Sequence, residues 1–158
     1  MSNTTDTRDA ALRVAIESDL PAIERLLASS GLPTTGVAEA LRGFVVAESD
    51  SDKRIVGVAG LERCCDEYAL LRSTAVDPDW RGTGLDRRLV THVIAEAESR
   101  GIKALYLLTT TAERYFPSFG FRTITRDDVP APVKATEEFT SACPASATVM
   151  TRQLQTTA

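Results

Sequence analysis

The chain has 158 residues, a formal net charge of −4, and hydrophobic and charged fractions of 43% and 25%. That is the composition of an ordinary globular protein, long enough for one well-filled core and short of two. It excludes a whole-protein field that would draw the chain to nucleic acid or anionic lipid, and no apolar run reaches membrane-spanning length. The segment Met1 to Ala10 is polar, reads as a disordered tail and has no apolar signal region, which points to the cytoplasm. Cys64, Cys65 and Cys143 suit a reducing compartment better than a disulfide framework. Without C-x-x-C spacing they read as small apolar residues, and no metal site is expected.

In chain order, Leu12 to Ile16 reads as a strand. A helix follows, capped by Ser18 or Asp19, with Pro21 in its first turn and Leu20, Ile23, Leu26 and Leu27 as its apolar stripe. Gly31-Leu32-Pro33 stops it, and Gly36 to Arg42 reads as a short second helix with Val37, Ala40 and Leu41 inward. Phe44 to Glu48 and Arg54 to Leu61 form a hairpin around Ser49-Asp50-Ser51-Asp52, with Gly57 and Gly60 marking a bulge or a close backbone approach. Tyr68 to Val76 is the central strand. A long helix from Leu85 carries Leu89, Val93 and Ala97 at helical spacing and ends at Arg100-Gly101. Then come a buried strand, Ala104 to Leu108, a short helix, Ala112 to Ser118, limited by Pro117, and a strand, Phe121 to Thr125. Pro130 to Ser141 reads as a further helix and Thr148 to Leu154 as the last strand. The result is an α/β (α+β) chain: one domain over 11–155, a mixed central β-sheet with helices on both faces.

Between the central strand and the long helix lies Arg81-Gly82-Thr83-Gly84-Leu85-Asp86, after the turn Asp77-Pro78-Asp79. Two glycines let a ligand approach the backbone, and the free N–H groups of a first helical turn favour an anion. Arg81, Arg87 and Arg88 add positive charge, so the stretch reads as a phosphate cradle on an acidic protein. A P-loop is excluded because no Lys-Ser/Thr follows the glycines, and a dinucleotide fingerprint because the third glycine is missing.

This stretch resembles the acetyl-CoA-binding signature of the GNAT acetyltransferases, Q/R-x-x-G-x-G/A, with Asp86 where Gly or Ala is usual. Tyr115-Phe116-Pro117-Ser118-Phe119-Gly120-Phe121 resembles the family's helix-to-strand ending, F-Y-x-x-L-G-F. The chain is most similar to the small acetyltransferases associated with arsenic-resistance operons, through Leu70-Leu71-Arg72-Ser73, Tyr106 to Thr111 and Cys143 to Ala147. The resemblance implies a GNAT fold, acetyl-CoA as cosubstrate, a small-molecule amine as acceptor and a role in arsenic or toxin resistance. It leaves a homodimer open. It assigns the pantetheine arm to the backbone of Thr74, Ala75 and Val76, with the Val76 N–H toward the thioester carbonyl. The cofactor cradle is Arg81, Gly82, Thr83, Gly84, Leu85, Asp86 and Arg87, joined by Thr109 and Phe116 at positions where the family often has Asn and Tyr.

The usual acid would fall on Phe116, which has no proton to give, and Tyr115 is turned by one helical step. A thiolate of pKa about 8.5 leaves near neutrality with modest help, so the missing hydroxyl weakens the mechanism without excluding it. For the base, Glu62 and Glu67 flank the hairpin before the central strand. Each is either a carboxylate acting through water or a solvated edge charge. His92, the one histidine, sits past the phosphate-binding turn and reads as a surface residue. Arg72 interrupts an apolar strand and needs a partner, either a structural carboxylate or a carboxylate on the acceptor. The expected activity is N-acetylation of an amino-acid-like acceptor. The rivals are acetylation of a protein or peptide N-terminus and a CoA-binding regulatory module without catalysis.

Overall fold

The computed structural model describes residues 9–110, 112–136, 139–140 and 146–154. Seven strands form one sheet: β1 (Ala10–Val14), β2 (Phe44–Ser49), β3 (Ile55–Arg63), β4 (Tyr68–Val76), β5 (Ala104–Thr109), β6 (Arg122–Ile124) and β7 (Thr148–Gln153). Their spatial order is β1-β2-β3-β4-β5-β7-β6, and every neighbouring pair is antiparallel except β4 with β5.

Two helices, α1 (Leu20–Ser29) and α2 (Leu85–Ser99), cover opposite faces because successive strand residues point opposite ways. In β2, Phe44 and Val46 pack with Ile23 and Leu27 of α1, while Val45 and Ala47 pack with Leu85, Leu89 and Val93 of α2. Each such buried aliphatic side chain contributes about 1.5–3 kcal/mol. Glycines make the approach close enough. A Cβ on Gly57 would lie 2.8 Å from Leu89 Cδ1, and one on Gly60 would lie 2.5 Å from the Phe44 ring. Both glycines are therefore sites of close approach, and the β3–β4 register shifts between Val58 and Gly60 as well.

That shift has its counterpart in β4 at Ser73, whose φ of 59° is left-handed in a non-glycine residue. The bulge flips the alternation. Ala69 and Leu71 face α2 before it; after it Ala75 faces α1 and Val76 faces α2. Beyond Leu70↔Tyr106 the parallel pairing of β4 with β5 stops, although both strands continue. The two strands splay apart there.

Four expectations need correction. The first strand is Ala10–Val14, two residues early, so its facing is kept but Ile16 stands 56% exposed. Ala10 pairs with Ser49 and belongs to the sheet, while residues 1–8 of the expected tail lie outside the described set. Gly36 to Arg42 is a chain of turns ending in a 3-10 helix, Leu41–Gly43, because Gly36 takes a φ of 79° that no helix can propagate. Val37 and Leu41 are buried as expected. Ala112 to Ser118 collapses to turns and a 3-10 helix, Phe116–Phe119, where Pro117 removes a donor. Of the helix expected over Pro130 to Ser141, α3 (Ala131–Lys134) is one turn, and residues 137–138 and 141 lie outside the described set.

Candidate active site

The splay opens into a cavity of about 800 Å³. Arg72, Thr74, Ala75 and Val76 line it from β4, and Thr109 lines it from β5. Arg81, Gly82 and Asp86 come from the glycine loop and the start of α2, and Phe116 comes from the segment after β5. Sequence positions more than forty residues apart thus share one wall. Thr83, Gly84, Leu85 and Arg87, the rest of the expected cradle, do not line the cavity. Gly84 caps α2 at a φ of 85°, and Thr83 Oγ1 donates to the Trp80 carbonyl at 2.6 Å. Leu85 is 2% exposed, so its side chain is core and only its N–H faces the cradle end. Gly82, at a φ of 80°, and Gly84 have open space where a Cβ would stand, so conformation rather than crowding is what requires glycine there.

The turn that carries the loop is pinned. The Asp77 carboxylate accepts from the Asp79 N–H at 2.9 Å and from Arg54 at 2.8 Å. Burial works to raise that carboxyl, but the two donors outweigh it and hold it below the usual range. The Asp77 N–H donates to the Val56 carbonyl at 2.8 Å, on the β3 side. Since successive strand N–H groups alternate sides, the Val76 N–H points into the splay.

Arg72 is buried, its side chain 1% exposed, and its guanidinium is held from three sides. It donates to Glu62 Oε1 at 2.7 Å, to the Thr35 carbonyl at 2.6 Å and to Ser73 Oγ at 2.9 Å. The structural carboxylate left open by the sequence is therefore Glu62. The same carboxylate lines a second recess of about 630 Å³ with Thr35, Gly36, Glu39, Arg42 and Arg63, so the ion pair lies between the two hollows. Glu67 is not brought to either. It precedes β4, at the strand end opposite Val76, and pairs in solvent with Lys103 at 2.8 Å. The nine residues of β4 put it about 30 Å of extended strand from the Val76 end, too far for a base. His92 is exposed on α2.

Two features escaped the sequence reading. Gly31, Leu32 and Pro33, expected to stop α1, form a wall of the main cavity, whereas Gly36 to Arg42 borders the second recess. Tyr115 also lines the cavity, its hydroxyl buried. Nothing local marks either, because both depend on what folds against them. Cys64 and Cys65 are free and partly buried, burial pushing the Cys64 thiol up to about 12; Cys143 lies outside the described residues.

The profile of the acetyltransferase (GNAT) domain matches residues 40–123, which spans β2 through β6 and so contains the splay and the glycine loop. The chain belongs to the GNAT acetyltransferase family. An amino-acid acetyltransferase of Mycobacterium tuberculosis is 30% identical over 131 residues, covering 77% of this chain and 74% of that protein. An amino-acid acetyltransferase of Neisseria meningitidis serogroup A is 31% identical over 129 residues, 76% of this chain. The match takes in 29% of that relative, so the chain spans less than a third of its length. Among solved structures, the N-acetylglutamate synthase of Neisseria gonorrhoeae, complexed with coenzyme A and N-acetyl-glutamate, superposes with a TM-score of 0.79 at 22% identity. That superposition covers 95% of this chain and 36% of the synthase, and it shows the shared GNAT fold.

Proposed function

We propose that the protein is an N-acetyltransferase that moves an acetyl group from acetyl-CoA to the amine of a small, amino-acid-like acceptor. The observation that carries this is the splay itself, a strand edge left open beside a helix N-terminus and continuous with a cavity of about 800 Å³. The cavity fits a long, thin cosubstrate. Its strand wall offers backbone groups of Thr74 and Ala75 to a pantetheine arm. Its mouth offers the N–H groups of Gly82 to Leu85 with Arg81 and Arg87 to a pyrophosphate. When bound, acetyl-CoA supplies an activated acyl thioester. The Val76 N–H is aimed where negative charge would develop on the thioester oxygen. Phe116 is 8% exposed and stacks edge-on with Phe121 at 5.8 Å, so it shapes the cavity and gives no proton.

Glu62 lines the second recess, which we read as the acceptor's side, and Arg72 holds it in place. An acceptor bearing its own carboxylate would reach Arg72 by sharing its guanidinium with Glu62. The relatives named amino-acid acetyltransferases support an acceptor of that class. By the same chemistry an amino-acid-like toxin would be an acceptor, which is how a role in arsenic or toxin resistance would be served. Among the described residues no helix is long and apolar enough to cross a membrane. A cytoplasmic site of action and a homodimer belong to the same proposal.

The test is thiol release from acetyl-CoA with free amino acids, simple amines and peptides, beside a melting curve with CoA. The reading expects CoA to raise the melting temperature with concentration and amino acids to be acetylated. Acetylation of peptides alone would make the protein an N-terminal acetyltransferase. Stabilisation by CoA without turnover on any amine would favour the non-catalytic module, for which Phe116 and Asp86 speak.

A further inference from the structure

Two residues that depart from the family pattern at separate places in the sequence line the same cavity in the structure. Asp86 puts a carboxylate in the first turn of α2, at the mouth of the cavity. Tyr115 lies twenty-nine residues on, beside Phe116, and lines the same cavity. Arg87 docks the two elements together. Its guanidinium lies 4.6 Å over the Phe119 ring and 3.4 Å from Ser118 Oγ. The Tyr115 ring packs edge-on against Phe116 and Phe119, each at 5.2 Å, which fixes its direction. Its hydroxyl is buried and makes no hydrogen bond among the described residues. Burial first, and then the Asp86 carboxylate, push that phenol well above its ordinary value, against a smaller opposing pull from Arg87. A phenol so placed keeps its proton and is a buried donor without an acceptor among the described residues.

We propose that Tyr115 is a positioning residue for the phosphates of the acyl donor. Its hydroxyl takes the Asp86 carboxylate as partner when a polyanion enters the cradle, and so holds that charge away from the N–H groups of the loop. The inference rests on the acetyl-CoA reading. A first-turn carboxylate suits the helix dipole while the cradle is empty, but a pyrophosphate needs the same N–H groups and repels it. With Gly or Ala at position 86 no partner would be needed. With Asp there, a donor already fixed between two rings loses little entropy in bonding to it.

The test is a double-substitution cycle read by calorimetry with free CoA, together with kcat and KM for acetyl-CoA on an accepted amine. Tyr115→Phe should bind CoA about tenfold more weakly, the size of one hydrogen bond to a charged group, with kcat within about twofold. Asp86→Asn should bind as well as the unsubstituted protein or better. In the Asp86→Asn background, Tyr115→Phe should have no further effect. Unchanged affinity in Tyr115→Phe would overturn the proposal. So would a tenfold loss that persists beside Asp86→Asn, since ring packing would then be the cause. A loss of about a hundredfold in kcat at unchanged affinity would make Tyr115 the proton donor instead. If the unsubstituted protein binds no CoA, the acetyltransferase reading itself falls and this inference with it.

Discussion

Replacing Glu62 by Gln keeps the shape of the side chain and removes the charge that Arg72 is paired with. The Arg72 side chain is 1% exposed and the Glu62 side chain 21% exposed, at 2.7 Å. Breaking a fully buried pair from one side costs about 3–5 kcal/mol, and breaking a surface pair about 0–1 kcal/mol. Glu62 is one-fifth open to water, and Arg72 keeps its bonds to Ser73 and Thr35, so the cost falls between these limits, at about 2 kcal/mol. For a domain of this size that is a fall of about 4–8 °C in melting temperature. Urea and thermal unfolding measure it, with Glu67→Gln as the control. The Glu67–Lys103 pair is 49% and 61% exposed, so its loss should cost at most about 0.5 kcal/mol. If both variants lose equally little, the burial argument for Arg72 is wrong. Turnover tests the proposal that Glu62 is also a base: if it acts through water, its loss should cost about a hundredfold or more at unchanged CoA affinity.

Three further outcomes follow from other parts of the fold. Asp19 is 6% exposed, takes two hydrogen bonds from Arg13 at 2.8 and 2.9 Å and one from the Ile16 N–H at 2.8 Å. Arg13 holds its carboxyl below the usual carboxylate range against burial. The stability it contributes is present above the unfolded pKa of about 3.9 and is lost as pH falls through the lower folded value. Asp19→Asn should therefore be less stable than the parent at pH 7, and the gap in urea midpoint should close below about pH 4; a constant gap would refute the assignment. Gly60→Ala should destabilise by about 1–3 kcal/mol, because the new methyl meets the Phe44 ring at 2.5 Å, and an unchanged unfolding midpoint would show that the ring yields freely. The Cys64 thiol, pushed up to about 12, should alkylate at pH 8 at least about a hundredfold more slowly in the folded protein than in urea, as read by mass spectrometry.

Much of the architecture is written in short-range pattern. The short continuous apolar runs of β2 to β5, buried on both faces, and the helical spacing of Leu85, Leu89, Val93 and Ala97 locate the sheet and α2. The glycine loop was equally legible, since a left-handed φ before a helix admits few residues. The short elements were not. Gly36 to Arg42 and Ala112 to Ser118 carry apolar residues at near-helical spacing, yet a helix that short has no stability of its own, and tertiary contacts chose turns for both.

The chemistry divides in the same way. The sequence by itself determined the anion cradle, the strand that leads into it and the need of Arg72 for a partner, since a charge in an apolar strand is costly wherever it lies. Only the tertiary structure decided which carboxylate answers it. Glu62 and Glu67 flank the same hairpin, but the β3–β4 register sets one beside Arg72 and sends the other into solvent at the far end of the strand. The bulge at Ser73 flips the facing of β4, and the docking of Arg87 on Phe119 joins the start of α2 to the segment that carries Tyr115. These are relations between residues distant in the chain, fixed by pairing register and packing, and no local spacing encodes them.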